Sequence, residues 1–172
     1  MNSNEFSRMI DRRAIGPEAV SIEASLDECA ALARRFELVA VDALSAQVQL
    51  IAEGAEVAAS GTLRAAIVQT CAISGEPLPV AVDEPIAFRF VPQRAFGDND
   101  IEVELEEAEL DEIDYAGTTF DLGEAVAQSL ALAIDPYATG PEADQVREKI
   151  GLSGDPSSGP FAALAALKKD QL

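Results

Sequence analysis

Glu102, Glu104, Glu106, Glu107, Glu109, Asp111, Glu112 and Asp114 crowd into one short stretch, and no lysine or arginine occurs from Ala95 to Val146. Three chemistries are open to so many carboxylates: paired acid–base catalysis, ligation of a hard cation, and electrostatic capture of a cationic partner. Catalysis by a carboxylate pair, as in glycosidases, needs two groups converging in a cleft with their pKa values driven apart. A calcium loop needs the D-x-[DN]-x-[DN]-G spacing, which this stretch lacks. Ile101, Val103 and Leu105 alternate with Glu102 and Glu104. That pattern suits a half-buried strand, which fans carboxylates along an edge instead of converging them. Like charges so close repel one another, so the block either solubilises the chain or offers a surface to something cationic.

Cys71 stands in the turn Gln69-Thr70-Cys71-Ala72-Ile73-Ser74-Gly75-Glu76-Pro77, whose Cys-x-x-Ser has the form of a Cys-x-x-Cys knuckle with its fourth position changed. One thiolate without histidine or a further cysteine nearby does not close a tetrahedral zinc site. Redox work would need a lowered thiol pKa, and no neighbouring lysine, arginine or evident helix N-terminus supplies one. The expectation is a buried, inert thiol. The chain has no histidine, which removes Ser/His and Cys/His nucleophile pairs and every histidine-bearing metal site. These absences predict a protein with no catalytic residues, no metal and no cofactor.

The 172 residues include 31 acidic against 12 basic side chains, a formal net charge of -19. Such a surface disfavours nucleic acid and anionic membranes and favours basic partners. Basic residues lie early and at the end, leaving about fifty central residues purely anionic, a segregation that solubility alone does not require. Two cysteines, Cys29 and Cys71, are too few for a disulfide framework and fit a reducing cytosol. The opening MNSNEFSRMIDRR has no apolar run of secretory type, and no run of about eighteen apolar residues would span a membrane. A cytoplasmic location is expected.

The elements that must position these groups read as follows. Glu5 to Ile10 give a short extended start, and Ala19 to Ala24 a strand. Ser25-Leu26-Asp27-Glu28 has capping-box form and predicts a helix to about Phe36. Its inner face is expected to be Leu26, Cys29, Ala30, Ala33 and Phe36. Leu38 to Ala52, with a bulge near Ala43, and Glu56 to Gln69 alternate as strands around the hairpin signal Glu53-Gly54-Ala55. Val80 to Val91 continues as a strand whose Pro85 belongs at an edge or bulge. Asp121-Leu122-Gly123-Glu124 caps a helix to Ile134, with Ala125, Val126, Ser129, Leu130 and Ala133 inward. A short helix is expected from Pro141 to Ile150. The fold class is α+β: a mainly antiparallel sheet, curling toward a barrel, with the helices near 26–36 and 122–134 packed on it. Residues 1–150 form one domain in this reading, 151–159 a flexible linker, and 160–172 a short helical segment.

The order of these pieces resembles the YceD family, or domain of unknown function 177. The resemblance is carried by Glu5-Phe6-Ser7-Arg8, the turn Gln69-Thr70-Cys71 with Gly75-Glu76-Pro77, Ile113-Asp114, and Phe120-Asp121-Leu122-Gly123-Glu124. Leu132-Ala133-Ile134-Asp135-Pro136-Tyr137 and Pro160-Phe161-Ala162-Ala163-Leu164 with Leu167-Lys168 complete it. It implies a role in accumulation of large-subunit ribosomal RNA, without known catalytic activity. Many members carry a full Cys-x-x-Cys at the turn and a second cysteine pair where this chain has Tyr137-Ala138-Thr139, so a zinc site is not carried over. Members are often encoded beside a small, very basic large-subunit protein.

Two binding readings follow. In the first, the eight carboxylates from Glu102 to Asp114 hold a basic large-subunit ribosomal protein, and ribosomal RNA is reached indirectly. In the second, Arg8, Arg12, Arg13, Arg89 and Arg94, with Arg34, Arg35 and Arg64, gather on a face that touches ribosomal RNA directly. Against the second stand the net charge and the lack of aromatic stacking platforms.

Overall fold

The structure, a computed structural model, describes residues 5–93 and 112–149. It divides into two compact units, one of residues 1–69 with 79–135 and one of residues 70–78 with 136–172. In the first unit, β1 (Met9–Asp11) leads through a 3-10 turn (Arg12–Ala14) to β2 (Val20–Glu23) and α1 (Leu26–Arg35). There follow β3 (Ala40–Glu53), β4 (Glu56–Thr70), β5 (Pro77–Pro92), β6 (Glu112–Tyr115), β7 (Thr119–Asp121) and α2 (Leu122–Ala133). The class is α+β, as the alternation predicts.

The main sheet has the order β2-β3-β4-β5-β6, and β1 pairs with β7 in a two-stranded sheet. β2 with β3, β3 with β4, and β1 with β7 are antiparallel, whereas β5 and β6 are parallel from Arg89↔Glu112 to Pro92↔Tyr115. Among the described residues the sheet does not close into a barrel. A parallel strand at its end is the departure from the expected antiparallel pattern, because four residues of β6 are too few for their alternation to announce a direction. The expected bulge is present between Val41 and Ala43. The β3–β4 hairpin turns through two residues, and Gly54 takes φ 66, the left-handed region in which glycine meets no Cβ clash.

Alternation along β3 and β4 buries Leu44, Ala46, Val48 and Leu50 against Val57, Ala59, Leu63, Ala65 and Ile67. Leu32 of α1 and Leu122, Val126 and Leu130 of α2 are fully buried in the same cluster. Phe90 stacks on Phe120 at 4.0 Å between ring centroids, and Tyr115 meets Phe120 edge-on at 6.0 Å.

The capping box is present on α1: the Glu28 amide donates to Ser25 Oγ, and the Ser25 amide to Glu28 Oε2. The buried stripe, however, is Cys29, Leu32 and Ala33, with Phe36 half-buried. Leu26 is 85% exposed and Ala30 faces outward. At the first helical position a side chain leans back past the helix start, so Leu26 overhangs the core. The helix closes on Glu37 at φ 56, whose amide donates to Arg34 while that of Leu38 donates to Ala33. This is a Schellman ending with glutamate where glycine is usual.

Gly123 lets the N-terminal segment lie against the start of α2: a Cβ there would sit 2.6 Å from the Phe6 carbonyl oxygen and 2.8 Å from the Arg8 amide nitrogen. Both neighbours are backbone and cannot swing aside. Gly123→Ala is expected to lower unfolding free energy by roughly 1–3 kcal/mol, measured by denaturant titration. Glu37→Gly, which relieves a left-handed non-glycine residue, is expected to raise it by up to about 1 kcal/mol.

Candidate functional site

Of the eight carboxylates in the acidic block, the described residues contain Glu112 and Asp114; Glu102, Glu104, Glu106, Glu107, Glu109 and Asp111 lie outside them, as does Arg94. Among the described residues, β6 is the last strand of the sheet. Along it the side chains alternate, so Tyr115 is buried beside Phe120 while Asp114 is exposed and Glu112 half-exposed. A strand whose inward residues are packed in this way holds its outward carboxylates in fixed positions.

Arg8, Arg12, Arg13, Arg35, Arg64 and Arg89 are engaged within the molecule, whereas Arg34 stands exposed on α1. Arg8 makes a two-pronged pair with Glu28 at 2.7 and 2.9 Å and also donates to the carbonyls of Ser7 and Glu23. Arg12 donates to the Gly54 carbonyl. Arg13 pairs with Asp11 at 2.8 Å, Arg64 with Asp83 at 3.2 Å, and Arg89 with Glu56 at 2.8 Å and Glu53 at 3.8 Å. Arg35 bridges Glu124 at 2.6 Å and Glu5 at 3.2 Å. Exposed pairs of this kind contribute little to stability, yet each must be exchanged before its arginine meets a phosphate.

Arg8 belongs to a latch. The Ser7 hydroxyl donates to Asp121 Oδ2 at 2.7 Å, the Arg8 amide to Asp121 Oδ1 at 2.8 Å, and the Leu122 amide to the Arg8 carbonyl at 3.0 Å. Asp121 also caps α2 by accepting from the Glu124 amide. The segments Glu5-Phe6-Ser7-Arg8 and Phe120-Asp121-Leu122-Gly123-Glu124 therefore interlock. The Arg8 hydrogen bonds hold the Glu28 carboxyl down at about 2. A depressed carboxyl stabilises the fold fully above its unfolded pKa, and this contribution disappears as pH falls through about 2.

In the second unit, Cys71 is buried at 3% exposure. Its sulfur accepts from the Gly140 amide at 3.3 Å and the Ser74 amide at 3.4 Å. The Cys71 amide donates to the Glu76 carbonyl and the Ala72 amide to that of Ala138, so the turn and the residues after Tyr137 are stitched together around one sulfur. The thiol pKa falls to about 6, chiefly through the Gly140 amide, then through Ser74 and Ile73. This corrects the expectation of a thiol with nothing to lower its pKa: backbone amides do it, one of them far away in sequence. Burial, by contrast, pushes the Cys29 thiol up. Among the described residues no group of three or more His, Cys, Asp or Glu is placed to hold a metal ion.

Two exposed groups escaped the sequence reading of the site. Leu132 is 89% exposed, and Glu84 on β5 faces solvent. Leu132 was legible, since it falls outside the stripe Ala125, Val126, Ser129, Leu130 and Ala133, whereas the exposure of Glu84 follows from the placement of β5.

Thiolate absorbance of a Cys29→Ala variant should titrate with a midpoint near 6, and Cys71→Ser should abolish that step. Because the folded pKa is depressed, stability from Cys71 is fully present above the unfolded thiol value and lost as pH falls through about 6, which pH-dependent denaturation of the two variants checks.

No helix among the described residues is long and apolar enough to cross a membrane. Comparison with curated proteins and with solved structures returns no match. Residues 59–168 match the family model described as large ribosomal RNA subunit accumulation protein YceD. That span runs from within β4 through the Cys71 turn, β5, the acidic block, β6 and α2. It covers more than half of the chain, and the Glu5-to-Arg8 arm of the latch precedes it. The chain thus belongs to the YceD family, and its role lies in the accumulation of large-subunit ribosomal RNA.

Proposed function

We propose that the protein is a non-catalytic, cytoplasmic assembly factor that supports ribosomal RNA accumulation by holding a basic protein of the large subunit on its acidic face. The observation that carries this reading is the asymmetry of charge. Arg8, Arg13, Arg35, Arg64 and Arg89 are each paired with a carboxylate of the chain itself, while the net charge is -19 and Asp114 stands exposed on the terminal strand of the sheet. These five cations are consumed internally, and the excess of carboxylates is left over. A lysine- and arginine-rich protein gains from that field, whereas a phosphate backbone is repelled by it.

Binding of this kind works by masking. A ribosomal protein that awaits RNA carries a dense positive charge, and a carboxylate surface screens it from premature contacts until RNA competes it away. The exchange needs no covalent chemistry, in keeping with a chain that lacks histidine. Opposed fields also accelerate encounter and make its rate sensitive to salt.

Calorimetric titration with individually purified small basic large-subunit proteins at low ionic strength should detect a complex. Its association rate should fall about tenfold or more on raising salt to physiological strength. Absence of binding to every such protein at low salt would refute the reading. A salt-sensitive gel shift with ribosomal RNA fragments alone would favour the arginine-face alternative.

A further inference from the structure

Two large apolar side chains that face water fall in one place. Leu26, 85% exposed, and Val39, 55% exposed, both line an open groove of about 370 Å³ between α1 and the start of β3. The groove follows from the way the chain turns. The Ala24 amide donates to the Leu44 carbonyl and the Leu38 amide to that of Ala33. The start of α1 therefore lies near Leu44 and its end near Leu38, and β3 runs back beside the helix. Every residue from Val20 to Thr70, which includes both walls, belongs to the described chain. Leu26, Ala30 and Arg34 recur at every fourth position, so they form one stripe of the helix with the small Ala30 at its middle.

The groove also holds one charge of each sign, Arg34 on the helix and Asp42 on the strand. Both are exposed, and Asp42 is the residue that the bulge between Val41 and Ala43 leaves without a partner on β4. Among the described residues neither makes a salt bridge, unlike Arg8, Arg13, Arg35, Arg64 and Arg89. They sit toward opposite ends, Arg34 at the last turn of α1 and Asp42 close to Leu44, beside the helix start.

We propose that this groove is the interface of a weak symmetric dimer, in which α1 lies antiparallel to α1 of a second copy and Arg34 of each chain meets Asp42 of the other. Charge complementarity selects the occupant. A lysine- and arginine-rich partner would meet Arg34 as a like charge, and a phosphate backbone would meet Asp42 as one. A second copy carries the same two charges at the same separation. Turned about a two-fold axis near Ala30, it satisfies both at once and brings Leu26 to Val39 twice, because in such a contact residue i meets j and j meets i. Two chains of net charge -19 repel at long range, so the dimer is weak at low ionic strength. It tightens as salt screens that repulsion while the apolar contact persists. This salt dependence has the opposite sign to that of a basic partner, and the inference does not rest on the basic-partner reading.

Sedimentation equilibrium of the full chain should show a concentration-dependent dimer that tightens as ionic strength rises from about 0.01 to 0.15 M. Leu26→Glu, which suits the first turn of a helix, should leave the thermal midpoint of the dilute, monomeric chain unchanged and weaken the dimer about tenfold or more. Arg34→Asp and Asp42→Arg should each weaken it about tenfold, and the chain carrying both should regain it, a rescue that two unrelated local effects would not give. A chain that stays monomeric at every concentration and salt would overturn the inference and leave the basic-partner reading standing. A dimer indifferent to Leu26→Glu, or charge reversals without rescue, would overturn it by placing the contact on another face. A lowered thermal midpoint of dilute Leu26→Glu would overturn it as well, the chain's own residues then covering the groove. Loss of a basic protein's binding in Leu26→Glu would do so by assigning the groove to that protein.

Discussion

Asp121 is the residue on which the rest of the first unit depends. One carboxylate accepts from the Ser7 hydroxyl, the Arg8 amide and the Glu124 amide, so it ends β7, starts α2 and receives the N-terminal segment at once. The register Met9↔Asp121 to Asp11↔Thr119 follows from that anchor. Phe6, fully buried, is carried inward by it, and Arg8 is left lying over the Phe6 ring at 4.6 Å with its guanidinium on Glu28. α1 is thereby tied by its own capping glutamate to the same point. Removing the carboxylate would leave three donors to find other partners, which costs more than any one of the bonds is worth.

Much of this was legible in the residues because local rules and burial agreed. The capping box at Ser25, the hairpin at Gly54, the bulge near Ala43 and the Asp121 cap each rest on a short, local interaction that the sequence spells out. What was not legible is long-range. Nothing near Cys71 announces that the Gly140 amide will point at its sulfur, and nothing near Arg8 announces Glu28 and Asp121. Residues read as candidate contacts for RNA, Arg8 above all, have partners that only folding brings within reach. The end of α1 at Phe36 was legible, but not its left-handed closure at Glu37, a conformation that glutamate does not favour. The Leu26 error had a different origin: periodicity fixes which side of a helix is apolar but not how far the packed surface beneath it extends.

The electrostatic design is separable from the fold. Within the first unit the ion pairs of Arg8, Arg13, Arg35, Arg64 and Arg89 join elements to one another. Among the described residues of the stretch without lysine or arginine, Glu124 joins that network. Exposed carboxylates such as Asp114 contribute little to holding the fold, so substituting them changes stability little.

The latch also bears on the order in which the molecule is made. Ser7 and Arg8 reach Asp121 across 114 and 113 residues of sequence, so a chain emerging from the ribosome presents its N-terminal arm long before the residue that receives it exists. β2, α1 and the β3–β4 hairpin have local partners and can assemble during synthesis, but Phe6 and the start of α2 must wait. A molecule committed to making ribosomes thus completes its own core only when most of its translation is over.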